Sequence, residues 1–353
     1  MFNNLKNRIL KIDIIYLVFN IIMVFALVFS IFFAGNWSQV SAQKSQAINF
    51  QSMVVYKNYL YSGAENTLEG AEIRRFDGFR WQEVAERGFG NLDNISVSSL
   101  IVYKNKLYIG TKNIQGGAEL WVHDGNNWDL MRDSGIDTPN NTEILSMTEY
   151  KGKVYISTHN TISGGHIYTF DGNEFNKIIS DGFGNQDNIA VPALKEYKGE
   201  LYAGTLNNTD GAQMWKFDNS NWSNIINDGI GNNNNVGIYS MEIFKDQLYF
   251  GTWNEDTGGE VWRFDKDLSQ WHRVSQGGFG IKNNVSIMSM IVYGKHLYVG
   301  TYNDVACGEV WRTDGTEAVI PQFTTIVLII TLVASAFIFI LIRSKFKQKM
   351  IPA

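Results

Sequence analysis

What most constrains this chain is a repeat. Tyr61, Tyr108, Tyr155, Tyr202, Tyr249 and Tyr298 each sit in a short apolar stretch, at spacings of 47, 47, 47, 47 and 49 residues. The two extra residues fall in one turn, where Asp265 to Trp271 is longer than Asp124 to Trp128. A period of this size held over six copies marks a stack of similar units, each burying its faces only against its neighbours.

Each unit reads as four strands. Ser98 to Tyr103 leads to a turn at Lys104-Asn105, and Lys106 to Thr111 returns. Ala118 to His123 follows a Gly-rich loop, then Asp124-Gly125 turns the chain into Trp128 to Arg132. Asp-Gly, Lys-Asn and Lys-Gly pairs accept the positive φ of tight hairpins. An aromatic content of 14% with 33 Gly and only 4 Pro fits strands joined by such turns. The expected fold is all-β: a six-bladed β-propeller of 47-residue, four-stranded blades, flanked by N- and C-terminal hydrophobic helices. Trp81, Trp128, Phe175, Trp222 and Trp271 recur as filler between blades. Cys307 is the only cysteine, so packing rather than an intrachain disulfide must hold the domain.

Two charge-free runs frame the repeats, Ile14 to Ala34 with 21 residues and Phe323 to Ile342 with 20. About 20 apolar residues suffice to span a bilayer as a helix. Lys6, Arg8 and Lys11 precede the first run and Arg343, Lys345, Lys347 and Lys349 follow the second, which places both termini inside and the repeats outside. The expected division is 1–35 as signal peptide or signal anchor, 36–319 as propeller, and 320–353 as membrane segment with a basic tail. Val40-Ser41-Ala42 offers an alternative cleavage site. The sixth repeat lacks its Trp strand, and Asn36-Trp37-Ser38-Gln39-Val40 carries the same Trp-x-x-apolar spacing. Residues 36–42 are therefore expected to close the last blade against Glu309–Arg312, so that both chain ends emerge from one blade. With 23 basic and 34 acidic residues in 36–319, the exported part offers no surface for nucleic acid.

The order of strand, Tyr-x-Gly strand, Gly-Gly loop, Trp strand, Asp turn and Trp strand resembles kelch-type and galactose-oxidase-like propellers over about residues 50–315. Gly-Thr stands where kelch repeats have a double glycine, and Gly88-Phe89-Gly90, Gly182-Phe183-Gly184 and Gly278-Phe279-Gly280 are not a kelch feature. The resemblance implies architecture and no particular function. Ile320-Pro321-Gln322-Phe323, the apolar run and Arg343-Ser344-Lys345 resemble the archaeal PEF-CTERM sorting signal, with Gln322 in place of Glu. That implies an archaeal surface protein handled by an archaeosortase.

Residues that obey a repeat are structural before they are functional, because a catalytic site takes different groups from different units. Glu72, Glu119, Glu260 and Glu309 share one position, with His166 and Gln213 in the other two copies, and a ring of carboxylates is too dispersed to pair as acid and base. The histidines lack metal-ligand spacing, so neither metal nor cofactor is expected. Only His159, His166, Trp253 and Tyr302 hint at broken symmetry. Two Asn columns recur in the loops: Asn66, Asn113, Asn160, Asn207, Asn254 and Asn303 after the second strand, and Asn94, Asn141, Asn188, Asn235 and Asn284 before the first. They read either as turn caps or as a polar collar for ligand. Sequons at Asn36, Asn94, Asn140, Asn207, Asn221 and Asn284 are candidate glycan acceptors. The function expected is a membrane-anchored, extracytoplasmic, non-enzymatic binding module at the cell surface, its partner an unidentified glycan or protein. A propeller glycan hydrolase or lyase, or a purely structural envelope component, is the alternative.

Overall fold

A computed structural model describes residues 38–41, 49–78, 80–265, 270–303, 305–306 and 308–315. These residues are built from strands, with two single-turn 3₁₀ segments at Arg87–Gly90 and Gly277–Gly280. Ser96–Tyr103, Lys106–Lys112, Leu120–His123 and Trp128–Arg132 form one antiparallel meander. The same meander recurs along the chain. Its first hairpin turns at Lys104 and Asn105, with φ of 47° and 59°, the primed turn that matches the right-handed twist of a strand pair. Its second turns where the Asp124 carboxylate accepts the N–H groups of Asn126 and Asn127.

The first strands, Asn49–Tyr56, Ser96–Tyr103, Glu143–Tyr150, Ala190–Tyr197, Gly237–Phe244 and Ser286–Tyr293, pack each on the next, and Ser286–Tyr293 returns to Asn49–Tyr56. The units thus form a closed ring around an axial cavity of about 150 Å³. The core lies between units. One cluster takes Tyr103, Tyr108, Leu120 and Val122 from one meander and Ile144, Met147, Ile156, Tyr168 and Phe170 from the next. The glycine two residues after the Tyr in five of the six second strands is explained by that contact; the third has Ser157, whose hydroxyl donates to Val191 O. A Cβ on Gly110 would stand 2.5 Å from Ile144 Cγ2, and one on Gly204 2.6 Å from Ile238 Cβ.

The Gly-Phe-Gly loops are a second device joining neighbours. Phe89 stacks on Trp121, Phe183 on Trp215 and Phe279 on Trp311, at centroid distances of 5.1, 4.8 and 4.9 Å. Trp128 also reaches the preceding unit, donating from Nε1 to Val84 O at 3.3 Å and meeting Phe89 edge-on. It is half-buried, as is the third-strand Trp121, and both pack with Phe89 against the core between these two units.

The last meander takes its fourth strand from the start of the chain. Ser38–Ser41 pairs antiparallel with Val310–Thr313, Ser38 opposite Arg312 and Gln39 opposite Trp311. Residues 1–35 and 320–353, where flanking helices are expected, lie outside the described residues, as do Asn36, Trp37 and Cys307. Among the described residues no helix is long and apolar enough to cross a membrane.

Candidate functional site

The recurring asparagines are buried, at 0–3% exposure. Asn94 Nδ2 donates to Gly88 O at 3.0 Å and to Glu119 Oε2 at 2.6 Å. Its Oδ1 accepts from Thr111 Oγ1 and from Asn113 Nδ2, both at 3.2 Å. Asn113 in turn caps its own loop, Oδ1 accepting from the N–H groups of Gln115 and Gly116. The Asn–Asn bond repeats as Asn160 to Asn141, Asn207 to Asn188, Asn254 to Asn235 and Asn303 to Asn284. Asn66 donates to Glu72 and caps the N–H groups of Leu68 and Glu69. The collar reading is corrected on this point: side chains this buried and this fully bonded to the fold present nothing to a ligand. The sequon residues Asn94, Asn207 and Asn284 are sealed in the same way, with no room for a glycan, whereas Asn140 and Asn221 are exposed.

The shared carboxylate position completes these wires. Glu119, Glu260 and Glu309 each accept from the indole N–H two residues on, Trp121, Trp262 and Trp311, and Gln213 does so from Trp215. In the third unit His166 takes this place. It bonds Tyr168 OH at 3.0 Å and Ser163 Oγ at 2.8 Å, and Tyr168 donates to Asp137 Oδ1 at 2.5 Å. Burial, seconded by Lys177, depresses the His166 pKa. His166 therefore belongs to a local network within the wall. Among the described residues no three His, Cys, Asp or Glu side chains converge as metal donors.

The repeat breaks elsewhere, at the last residue of each second strand: Glu65, Lys112, His159, Leu206, Trp253 and Tyr302. All six are half-buried. Each pairs with the start of its own first strand and, where the next unit follows, with the start of that unit's first strand. Glu65 lies opposite Ser96, Lys112 opposite Glu143, His159 opposite Ala190, Leu206 opposite Gly237, and Trp253 opposite Ser286. Within units the ladder continues through Ser96–Lys112, Glu143–His159, Ala190–Leu206, Gly237–Trp253 and Ser286–Tyr302. One backbone ladder thus runs around one end of the cavity, and on it stand six different side chains.

One arc of this mouth is polar. Ser98 Oγ donates to Glu143 Oε1 at 2.6 Å, Lys112 Nζ lies 3.8 Å from Glu143 Oε2, Gln51 donates to Glu65 at 2.9 Å, and Thr142 Oγ1 lies 3.0 Å from His159 Nδ1. The Glu143 carboxylate, with Glu65 and Tyr302 behind it, raises the Lys112 pKa against the opposing effect of burial. Burial lowers that of His159 while Glu143 opposes it, so the imidazole is neutral at pH 7. The other arc is aromatic. Tyr239 meets Trp253 at 5.1 Å, and Trp253 meets Tyr302 at 5.8 Å. Burial, and then Glu143, raise the Tyr239 pKa, keeping its hydroxyl protonated. Polar groups on one side and an aromatic wall on the other can orient a ligand that has both faces.

Of the four residues that sequence singled out as breaking the symmetry, the structure gathers His159, Trp253 and Tyr302 and leaves His166 apart. Glu65, Lys112, Glu143, Gln51 and Tyr239 were missed. For Glu65 and Lys112 the signal available was the column that ends the second strands, and for Gln51 and Tyr239 the first-strand column they share with Ser98, Leu145, Pro192 and Met288; both differ in every repeat.

No family model matches the chain, and no curated protein matches it by sequence. Solved structures do match in shape. YjhT is 10% identical with a TM-score of 0.55, covering 78% of this chain and 97% of that one. A Trypanosoma rangeli sialidase bound to difluorosialic acid is 11% identical with a TM-score of 0.51, covering 79% of this chain and 59% of the sialidase. The fold is a β-propeller. At these identities the likeness carries the fold alone, and the chain spans about three-fifths of the sialidase.

Proposed function

We propose that the chain is a membrane-anchored, six-bladed propeller acting outside the cytoplasm as a non-enzymatic binding module, with its ligand at the channel mouth. One observation carries the reading: the six mouth positions are all different although they share one rigid ladder, and the axial column beneath them, Gln51, Ser98, Leu145, Pro192, Tyr239 and Met288, differs in every unit as well. A structural ring has no need of that difference; a binding site does. The non-enzymatic reading rests on how the mouth's polar groups are spent, since Glu143, Glu65 and His159 each bond a neighbouring side chain. Recognition of an uncharged or amphipathic surface of a glycan or protein fits the aromatic arc. The charge-free runs in 1–35 and 320–353 supply the anchor, and the basic residues beyond them put the propeller outside. Among the described residues, exposed Asn140 and Asn221 are the sequons open to glycans.

The test is a glycan and peptide array probed with the purified full chain and with Trp253→Ala. A ligand held by the parent and lost by the variant, with unchanged thermal stability, is the expected result. Binding that survives Trp253→Ala and Lys112→Met together would remove the mouth as the site.

A further inference from the structure

The last blade fixes where the chain enters and leaves the ring. His296–Tyr302 runs from the turn at Gly294-Lys295 to the mouth at Tyr302. Val310 stands opposite Gly300 and Thr313 opposite Leu297, so the described chain leaves at the turn end, through Gly315. Ser38 opposite Arg312 and Ser41 opposite Val310 show that it also enters at the turn end. The first charge-free run ends at Ala34 and the second begins at Phe323. Ser38 is four positions beyond Ala34, and Phe323 is eight beyond Gly315. Fully extended, these tethers reach about 13 Å and about 28 Å. The mouth stands a seven-residue strand beyond the turns, about 23 Å further. A domain tethered by both ends at one pole cannot turn the opposite pole to the bilayer.

The charges agree. Every inner hairpin turn carries one exposed lysine: Lys57, Lys104, Lys151, Lys198, Lys245 and Lys295. Five of the six lie over the ring that precedes them, as Lys104 lies 5.2 Å from the Tyr103 centroid. The acids at this pole are Asp246, paired with Lys198, Glu149, Glu196 and Glu200 beside the inner turns, Glu196 accepting from Gly199 N–H and Glu200 pairing with Lys216, and the outer-turn Asp77, Asp124, Asp171, Glu174, Asp218 and Asp314. The carboxylates of Asp77, Asp124, Asp171 and Asp218 accept their own turns' N–H groups. Lys57 and Lys104 reach across to the backbone carbonyls of Asp124 and Asp171, so the lysines form an inner ring, and the outer-turn acids stand outside it. The loop tips at the mouth are acidic, with exposed Glu69, Asp93, Asp187, Asp210, Glu255 and Asp256. An anionic surface therefore repels the mouth and accepts the turns.

We propose that the propeller rests on a phosphate-bearing lipid surface through its inner turns, the lysine ring against the headgroups and the mouth facing away. This rests on reading 14–34 and 323–342 as membrane segments. The exposed apolar tips Leu68, Ile162 and Val305 lie at the mouth pole, so the opposite footing, mouth down, is the competing outcome.

The full chain is reconstituted in liposomes with Cys307→Ser and one new cysteine, Lys106→Cys at the turn pole or Thr161→Cys at the mouth pole. Each carries a fluorophore, and the lipids carry headgroup nitroxide quenchers. Quenching at least threefold stronger at 106 than at 161 is expected. Equal quenching, or stronger quenching at 161, overturns the orientation. A chain that fails to float with liposomes removes the membrane reading beneath it, which flotation reports separately. Adding phosphatidylglycerol to phosphatidylcholine should increase quenching at 106 at low salt and not at high salt. Lys57→Gln, Lys104→Gln, Lys151→Gln and Lys198→Gln combined should abolish that increase; an increase that persists overturns the role of the lysine ring.

Discussion

Replacing Asn94 with Ala tests whether the asparagine wires hold the propeller together. The change deletes a bond to the Glu119 carboxylate at 2.6 Å, one to the Gly88 carbonyl at 3.0 Å, and two accepted from Thr111 and Asn113 at 3.2 Å. Glu119 keeps Asn91 and Trp121 as donors, so its loss is partial. Gly88 O and the Asn113 amide lose a partner in a site that is sealed from solvent. Hydrogen bonds to charged groups contribute about 1.5–3 kcal/mol and neutral ones about 0.5–1.5, and a buried group left unpaired costs most of its desolvation. The loss works out at about 3–5 kcal/mol, well above the roughly 1 kcal/mol of an exposed cap. Urea unfolding of the full chain should show the midpoint fall by about 1 M or more at a slope of about 3 kcal/mol/M. Asn94→Asp should be worse, because it sets a carboxylate oxygen against Glu119 where an N–H now donates. A loss below about 1 kcal/mol, or a benign Asn94→Asp, would refute the assignment of these asparagines to the wall.

The close approach of Gly110 to Ile144 predicts that Gly110→Ala loses about 1–3 kcal/mol through overpacking and that Ile144→Val recovers part of it; thermal melts of both variants check this. Trp128→Ala should cost about 2 kcal/mol, less than a fully buried Trp, because the side chain is half-buried over Phe89; a loss above about 4 kcal/mol would show that it fills the space between units as a fully buried Trp does. His159 and His166 both have pKa values lowered by folding, so the unfolded chain takes up more protons just below pH 6.5. Their contribution to stability is present above about pH 6.5 and lost as pH falls through their folded pKa values. His159→Gln should flatten the acid limb of a stability–pH profile, and an unchanged limb would count against the burial-driven shift.

The ring was legible in sequence because propeller stability comes from contacts that every unit must repeat. Tyr-x-Gly recurs in five of the six units since a Cβ there would press on the next unit's β-branched residue, as one on Gly110 would on Ile144, and the outer-turn Asp recurs as Asp77, Asp124, Asp171 and Asp218 since its side chain caps the turn. The same logic concealed the site. Repetition drew attention to the asparagines, the most regular polar residues in the chain, and regularity is what a wall requires. Their burial could not be read from a one-dimensional pattern, because the paired ones bond residues of their own loops and an asparagine 19 positions away. The informative column was the one that looked like noise. Glu65, Lys112, His159, Leu206, Trp253 and Tyr302 have nothing in common except their place after a conserved-looking strand within this chain. Only the inter-unit pairing, Lys112 opposite Glu143 and Trp253 opposite Ser286, shows that these positions share one ladder. In a repeat that must match itself to close, the level where neighbouring sheets touch by a single residue pair is free to vary, as is the axial column of Gln51, Ser98, Leu145, Pro192, Tyr239 and Met288. Variation there leaves the core untouched, and it places six independent side chains around one opening.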